Sequence, residues 1–259
     1  MEFINQNPIG RSSRSNPVTY IKAYDEIRNL FSNHKLSKQR GYKAKHFSFN
    51  VDGGRCDKCK GDGEITIEMQ FMADVHLMCD ECKGSRFKRE ILDVKFSEKN
   101  IYDVLNMTIN DSLEFFEKSN ENKIYRKLLP LKNVGLGYVK LGQSSSTLSG
   151  GEAQRIKLAS FLGKANQTKK GVFIFDEPTT GLHTHDIKKL LKSFNALVDL
   201  GNTIVIVEHN LELIKCSDHI IDLGPVGGEN GGHLIVKGKP ELIIKNNESL
   251  TAKYLKEYL

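Results

Sequence analysis

Gly171-Val-Phe-Ile-Phe-Asp176-Glu177-Pro178 decides the fold class. The run Val172 to Phe175 is apolar at every position, where a half-exposed strand would alternate, so it reads as a strand in a buried sheet. Two carboxylates and a proline then end it. Working outward, Asp186 to Leu200 has the spacing of an amphipathic helix with a basic outer face. Thr203 to Val207 is a second apolar, β-branched strand and His219 to Leu223 a third, and Leu223 to Gly232 is a glycine-rich turn into a strand over Leu234 to Val236. Apolar strands separated by helices predict a parallel sheet buried on both faces, hence an α/β fold.

The strand ends carry the chemistry. A carboxylate at Asp176 suits Mg2+ coordination through water, and Glu177 suits orienting and deprotonating an attacking water. The plainer reading is an acidic turn. It gives way because Thr179-Thr-Gly-Leu-His183 follows in the manner of an ABC ATPase D-loop, and the next apolar strand ends in Glu208-His209-Asn210, matching the switch histidine that contacts a γ-phosphate. Upstream, Leu148-Ser149-Gly150-Gly151-Glu152-Ala153-Gln154 precedes the helical run Arg155-Ile-Lys-Leu-Ala. Ser149 is a natural N-cap, the glycines let backbone approach a ligand, and a helix N-terminus is an anion site. The heptapeptide matches the ABC signature. Asn5-Gln6-Asn7-Pro8 fits the Q-loop, with Gln6 sensing Mg2+ and water. No Gly-x4-Gly-Lys-Ser/Thr occurs: Gly163-Lys164 and Gly238-Lys239 are followed by Ala165 and Pro240. The phosphate-cradling Walker A loop is therefore expected upstream of a chain that begins just after it.

Cys56-x2-Cys59 and Cys79-x2-Cys82 are nineteen residues apart. That is zinc-ribbon spacing, with four thiolates completing a tetrahedron and leaving no position open for a catalytic water. Lys60-Gly61 and Lys83-Gly84 follow the two pairs; glycine lets amides turn towards the thiolates and lysine offsets their charge. His76 reads as a strand residue in the intervening hairpin, one arm of which is expected over Ile65 to Met72. The fifth cysteine, Cys216, reads as a buried core thiol at the end of an apolar helix. His183, His185 and Asp186 sit at a helix start and read as capping and D-loop residues rather than a second metal site.

The remaining chain reads as loop through Pro17, helix over Val18 to Leu36, a short strand over Ile91 to Phe96, and mainly helix from Ile101 to Leu131 with Asp111 as an N-cap. Basic residues concentrate between Gly10 and Lys45 (Arg11, Arg14, Lys22, Arg28, Lys35, Lys38, Arg40, Lys43 and Lys45, against Asp25 and Glu26), and again at Lys83, Arg86, Lys88 and Arg89. Such stripes neutralise nucleic-acid phosphates or form solvated faces. The composition, 39% hydrophobic and 27% charged, is that of a globular protein rather than a disordered one. No run approaches a membrane span and the first residues lack signal-peptide character, so a cytoplasmic location is expected.

Taken together, these motifs resemble the UvrA family, the damage-recognition component of the bacterial excinuclease ABC, in its second nucleotide-binding half. Further runs carry the likeness: Pro8-Ile-Gly-Arg11-Ser-Ser-Arg14-Ser-Asn-Pro17, Phe47-Ser-Phe-Asn-Val-Asp-Gly-Gly-Arg55-Cys56, Val134-Gly-Leu-Gly-Tyr-Val-Lys-Leu-Gly142 and Ile221-Asp-Leu-Gly-Pro225. The resemblance spans about Ile4 to Leu242. It implies a partial ABC-ATPase lobe with a parallel sheet, plus a mainly helical signature domain carrying an inserted zinc-ribbon hairpin. The implied boundaries are 1–17 and 164–259 for the ATP-binding lobe and 18–163 for the signature domain, with the zinc module at about 46–96. Implied roles are Gln6, Glu177 and His209 in catalysis, Ser149, Gly150, Gly151, Glu152 and Asp176 at nucleotide, and Cys56, Cys59, Cys79 and Cys82 on zinc. DNA contact, which the family associates with the zinc hairpin, is expected at Arg11, Arg14, Lys43, Lys45, Arg55, Arg86, Lys88 and Arg89. The family implies ATP and Mg2+, double-stranded and especially damaged DNA, the excinuclease partner UvrB and a homodimer in the full protein, with no membrane. Without Walker A the chain alone is expected to be inactive. The alternatives are a non-enzymatic zinc-dependent DNA-binding module and a paralogue protecting against DNA-binding drugs.

Overall fold

A computed structural model describes residues 1–10, 12, 14–69, 74–163, 170–226, 228 and 231–259. The chain divides into two compact units, Met1–Asn5 with Lys169–Leu259, and Gln6–Thr168. Strand β1 (Glu2–Ile4) opens the first unit. The second then runs through helices α1 (Pro17–Tyr20), α2 (Tyr24–Asn33) and α3 (Lys35–Gln39), the hairpin β2 (Glu64–Ile67) and β3 (Val75–Met78), and helices α4 (Arg89–Leu92), α5 (Ile101–Asn106), α6 (Ile109–Lys118), α7 (Asn122–Asn133) and α8 (Gly150–Leu162). The first unit resumes with β4 (Val172–Asp176), α9 (Thr184–Asp199), β5 (Thr203–Val207), α10 (Leu211–Ile214), β6 (Ile220–Gly224), β7 (His233–Gly238), α11 (Pro240–Ile243) and α12 (Leu250–Leu255). Among the described residues no helix is long and apolar enough to cross a membrane.

In the first unit β1, β4 and β5 form a parallel sheet in that order, with Ile4 opposite Phe175 and Phe175 opposite Ile206. Side chains alternate across a strand. Ile4, Phe173 and Phe175 are therefore buried on one face, where Ile187, Leu190, Phe194 and Leu197 of α9 also lie buried; the Phe175 and Phe194 rings are 4.8 Å apart. On the other face Phe3, Val172, Val205 and Val207 are exposed. The expectation of burial on both faces thus holds for one, because an apolar strand is covered only where a helix lies on it. The third predicted strand also differs. β6 pairs antiparallel with β7 in a separate two-stranded sheet, since the chain returns through a short Gly/Pro connection rather than a helical crossover. Gly227, Glu229 and Asn230 of that connection lie outside the described residues. Ile220, Ile243, Ala252 and Leu255 form a small core beneath it.

The second unit is mainly helical around Ile27, Phe31, Phe116, Leu128 and Leu131, all fully buried. The helix predicted over 18–36 breaks into three. Lys22 adopts a left-handed φ of 58°, ending α1's turn, and His34 leaves the helical region at ψ 147°, its Nδ1 accepting from the Leu36 amide that starts α3. The strand predicted over 91–96 is helix α4 and a following turn. Its buried residues, Ile91 and Val94, are three apart, which is helical rather than alternating spacing. Thr108 rather than Asp111 caps α6: Thr108 Oγ1 accepts from the Asp111 amide at 3.1 Å and donates to its carboxylate at 2.7 Å. Of the arm expected over 65–72, β2 ends at Ile67, while Gln70, Phe71 and Met72 lie outside the described residues. Cys216 is exposed instead of buried, because α10 is one turn that buries only Leu213.

Phe47 shows how tightly the second unit is held. It is fully buried, its ring lies 5.5 Å from that of Phe31, and its carbonyl accepts from Tyr24 Oη at 2.6 Å. Phe47→Ala is expected to cost about 3–5 kcal/mol in urea unfolding. A loss below about 1 kcal/mol would place Phe47 outside the core that specifies this unit.

Candidate functional site

The two cysteine pairs sit on matching knuckles. Each is followed by a lysine and a glycine with positive φ, Lys60 and Gly61 at 50° and 92°, Lys83 and Gly84 at 49° and 81°. Gly61 is required by space as well as by φ, because a Cβ there would lie 2.0 Å from the Phe49 carbonyl oxygen. The turns close the pairs on each other: Cys56 N–H donates to Arg86 O at 2.9 Å and Cys79 N–H to Gly63 O at 3.0 Å. All four Sγ atoms lie within 4.8 Å of one another, with Cys56 to Cys79 at 3.9 Å and Cys59 to Cys82 at 3.6 Å. A tetrahedral zinc centre places its sulfurs about 3.8 Å apart, so the four thiols fit such an ion and can hold a metal. Gly63 N–H also donates to Cys59 Sγ at 3.3 Å. Burial pushes the Cys82 thiol up to about 12, so a thiolate there calls for a compensating cation. His76 is exposed in β3, beside Thr66, and is not in the cluster.

Acidic neighbours already engage much of the basic region. Arg14 makes a two-bond pair with Asp62 at 3.0 and 3.1 Å, Arg55 meets Asp52 at 2.6 Å, and Lys88 meets Asp57 at 2.7 Å. Arg86 lies 5.4 Å over the Phe49 ring and donates to Gly142 O at 3.2 Å, which is a packing arrangement. Lys43, Lys45 and Arg89 are exposed. Arg11 lies outside the described residues. Partly exposed pairs contribute about 0–1 kcal/mol each, so the paired groups remain open to exchange their carboxylate for a phosphate.

Ser149 caps α8 as its sequence foretells. Its Oγ accepts from Glu152 N–H at 3.2 Å while Glu152 Oε2 accepts from Ser149 N–H at 2.8 Å. Glu152 Oε1 takes a further bond from Tyr138 Oη at 2.6 Å, a contact the motif alone does not disclose. Gly150 faces Gln6 so closely that a Cβ would sit 2.9 Å from Gln6 Oε1, and Lys157 Nζ donates to Asn7 O at 2.8 Å. The Gln6-Asn7 loop therefore rests on the first turns of α8.

In the first unit Asp176 ends β4 and Glu177 follows it. Glu177 has a φ of 44°, and its N–H donates to Val207 O at 2.9 Å, extending the β4–β5 ladder by one residue. A left-handed non-glycine residue costs of order 1–3 kcal/mol and recurs at functional sites. Its carboxylate comes within 3.7 Å of His209 Nδ1, and both side chains are substantially exposed. The half-buried Glu208 accepts from Thr179 N–H at 2.9 Å and from Thr179 Oγ1, and from the amides of His209 at 2.8 Å and Asn210 at 3.0 Å. Burial alone would raise Glu208, but these bonds outweigh it and hold the carboxyl below its usual range. The sequence motifs include Glu208 and Thr179 without giving either a contact; the signal for one is a carboxylate at a strand end directly before the histidine. At the start of α9, His183 occupies the N-cap without a side-chain cap bond and Asp186 pairs with Lys189 at 2.9 Å, while the His185 side chain lies outside what is described.

No family model matches the chain. It is 57% identical over 256 residues to UvrABC system protein A of Clostridium acetobutylicum, covering 99% of this chain and 27% of that protein. It is 58% identical over 256 residues to UvrABC system protein A of Clostridium perfringens, with the same coverage. The crystal structure of UvrA2 from Deinococcus radiodurans superposes with a TM-score of 0.92 at 45% identity, covering 100% of this chain and 31% of that one. The chain thus spans about a quarter of the length of the curated relatives it matches. Ser149→Ala removes one half of the α8 cap and is expected to cost about 1 kcal/mol, read in urea unfolding. An unchanged midpoint would remove the cap from the site's architecture.

Proposed function

We propose that the chain, which belongs to the UvrA family, is a segment of its second ABC nucleotide-binding half and supplies hydrolytic and DNA-contacting parts of a DNA-damage-recognition ATPase of bacterial nucleotide excision repair. The observation carrying this reading is the meeting of Glu177 and His209, 3.7 Å apart at the ends of neighbouring parallel strands. In this reading Glu177 orients the attacking water and takes its proton, and His209 holds the γ-phosphate. Asp176 would hold the Mg2+ of a bound nucleotide, an ion that would supply charge neutralisation at the phosphate, while Gln6 keeps the Q-loop role that the resemblance implies. Ser149, Gly150, Gly151 and Glu152 present the N-terminus of α8 to a nucleotide bound on another half. The full protein of which it is a segment is read as a cytoplasmic homodimer that binds damaged double-stranded DNA and loads the excinuclease partner UvrB.

These 259 residues hold no Gly-x4-Gly-Lys-Ser/Thr, so the chain by itself is expected to hydrolyse ATP only at background rate. A chimera with this chain in place of the matching segment of the Clostridium perfringens relative tests the assignment. Turnover should return, and Glu177→Gln should lower kcat by roughly 10²–10⁴-fold. Turnover by the isolated chain, or an active Glu177→Gln chimera, would contradict the reading.

A zinc-dependent DNA-binding module without hydrolysis is the second reading, favoured by the knuckles and the exposed Lys43, Lys45 and Arg89 lying in one unit. The four cysteines would hold one structural Zn2+, closed to water. The chain is expected to carry one zinc per molecule, to lose it with Cys79→Ser, and to lose salt-dependent DNA retardation with it. Zinc-free chain that shifts DNA equally well would sink the metal's role. If neutralising Lys43, Lys45 and Arg89 leaves affinity unchanged, the patch is not the contact.

A further inference from the structure

Glu208 is a carboxylate in the first unit that binds both strand-end loops. Oε1 serves the loop after β4, accepting from Thr179 N–H at 2.9 Å and from Thr179 Oγ1. Oε2 serves the loop after β5, accepting from His209 N–H at 2.8 Å and Asn210 N–H at 3.0 Å. Thr179 is buried and lies two residues beyond Glu177, while His209 is itself one of the donors. The two loops that carry the candidate base and the candidate phosphate contact therefore share one half-buried anchor.

The chemistry of the anchor is specific. Three of the four groups facing it are backbone N–H donors, spread over both carboxylate oxygens, and the fourth is a hydroxyl that donates here, so both oxygens must accept, which an ionised carboxylate supplies and an amide does not. In Glu208→Gln the side-chain NH2 would face at least one backbone N–H, that of Thr179 or those of His209 and Asn210. Hydrogen bonds to a charged acceptor are also about twice as strong as neutral ones, which suits a brace across a backbone held at a left-handed φ at Glu177.

We propose that Glu208 is a positioning residue that sets the spacing of Glu177 and His209 by bracing their two loops, without touching substrate. This rests on the reading of Glu177 and His209 as the hydrolytic pair. A 1 Å misplacement of such groups costs up to about 10²-fold in rate, so the brace is read in kcat.

The test uses the same chimera. Glu208→Gln and Thr179→Val should each lower kcat roughly 10- to 100-fold with KM for ATP within about twofold. The double variant should be no slower than Glu208→Gln alone, since both cut one brace. Thr179→Ser, which keeps the donor, should retain most of the turnover that Thr179→Val loses. In the 259-residue chain, Glu208→Gln should speed amide exchange at His209 and Asn210 while leaving α9 protected, which separates a local release from unfolding. Should Glu208→Gln not fold, Thr179→Val carries the same test. A dead Glu177→Gln beside unimpaired Glu208→Gln and Thr179→Val overturns the brace alone, as does a raised KM with unchanged kcat. An active Glu177→Gln overturns the hydrolytic pair and the brace with it.

Discussion

The parallel register of β4 on β5 is the constraint on which the candidate chemistry depends. Phe175 opposite Ile206 and Asp176 opposite Val207 bring the C-terminal ends of both strands to the same level. Every residue read as acting on phosphate in the first unit leaves from that line. A slip of one residue would turn Phe173 and Phe175 away from α9 and separate Glu177 from His209 at once, because side chains alternate with a period of two. Burial of the two phenylalanines against α9 therefore fixes the site as well as the sheet.

The second unit solves a different problem. Its knuckles carry four sulfurs and several acidic side chains in a small volume, and its basic residues are spent largely on that charge. Arg14, Arg55 and Lys88 face carboxylates, whereas Arg86 is laid over Phe49. A reading of this region as a uniform basic stripe is too simple. What remains for a polyanion is an exposed subset together with pairs that can be exchanged.

Much of this was legible in the residues, and for identifiable reasons. Ser149, the paired cysteines and the strand of Val172 to Phe175 announce themselves because capping, metal geometry and burial each demand particular residue types at fixed spacing. The motifs and the likeness to UvrA single out Gln6, Asp176, Glu177 and His209, of which Glu177 and His209 lie 3.7 Å apart. The failures arose where tertiary context decides. Ile91 and Val94 suit a strand until their common burial shows helical spacing, β6 reads as parallel until its return path is known, and Cys216 follows a helix too short to bury it. Glu208 stands in the switch motif, but its bonds are not legible there for a related reason: their donors come from two loops that only the sheet brings together.

The most direct measurement is a structure of the chimera carrying Glu177→Gln, with ATP and Mg2+ bound. The account predicts the γ-phosphate between residue 177 and His209, the ion beside Asp176, and Glu208 still joining Thr179 to His209 and Asn210. A bound nucleotide whose γ-phosphate lies away from the ends of β4 and β5 would contradict it.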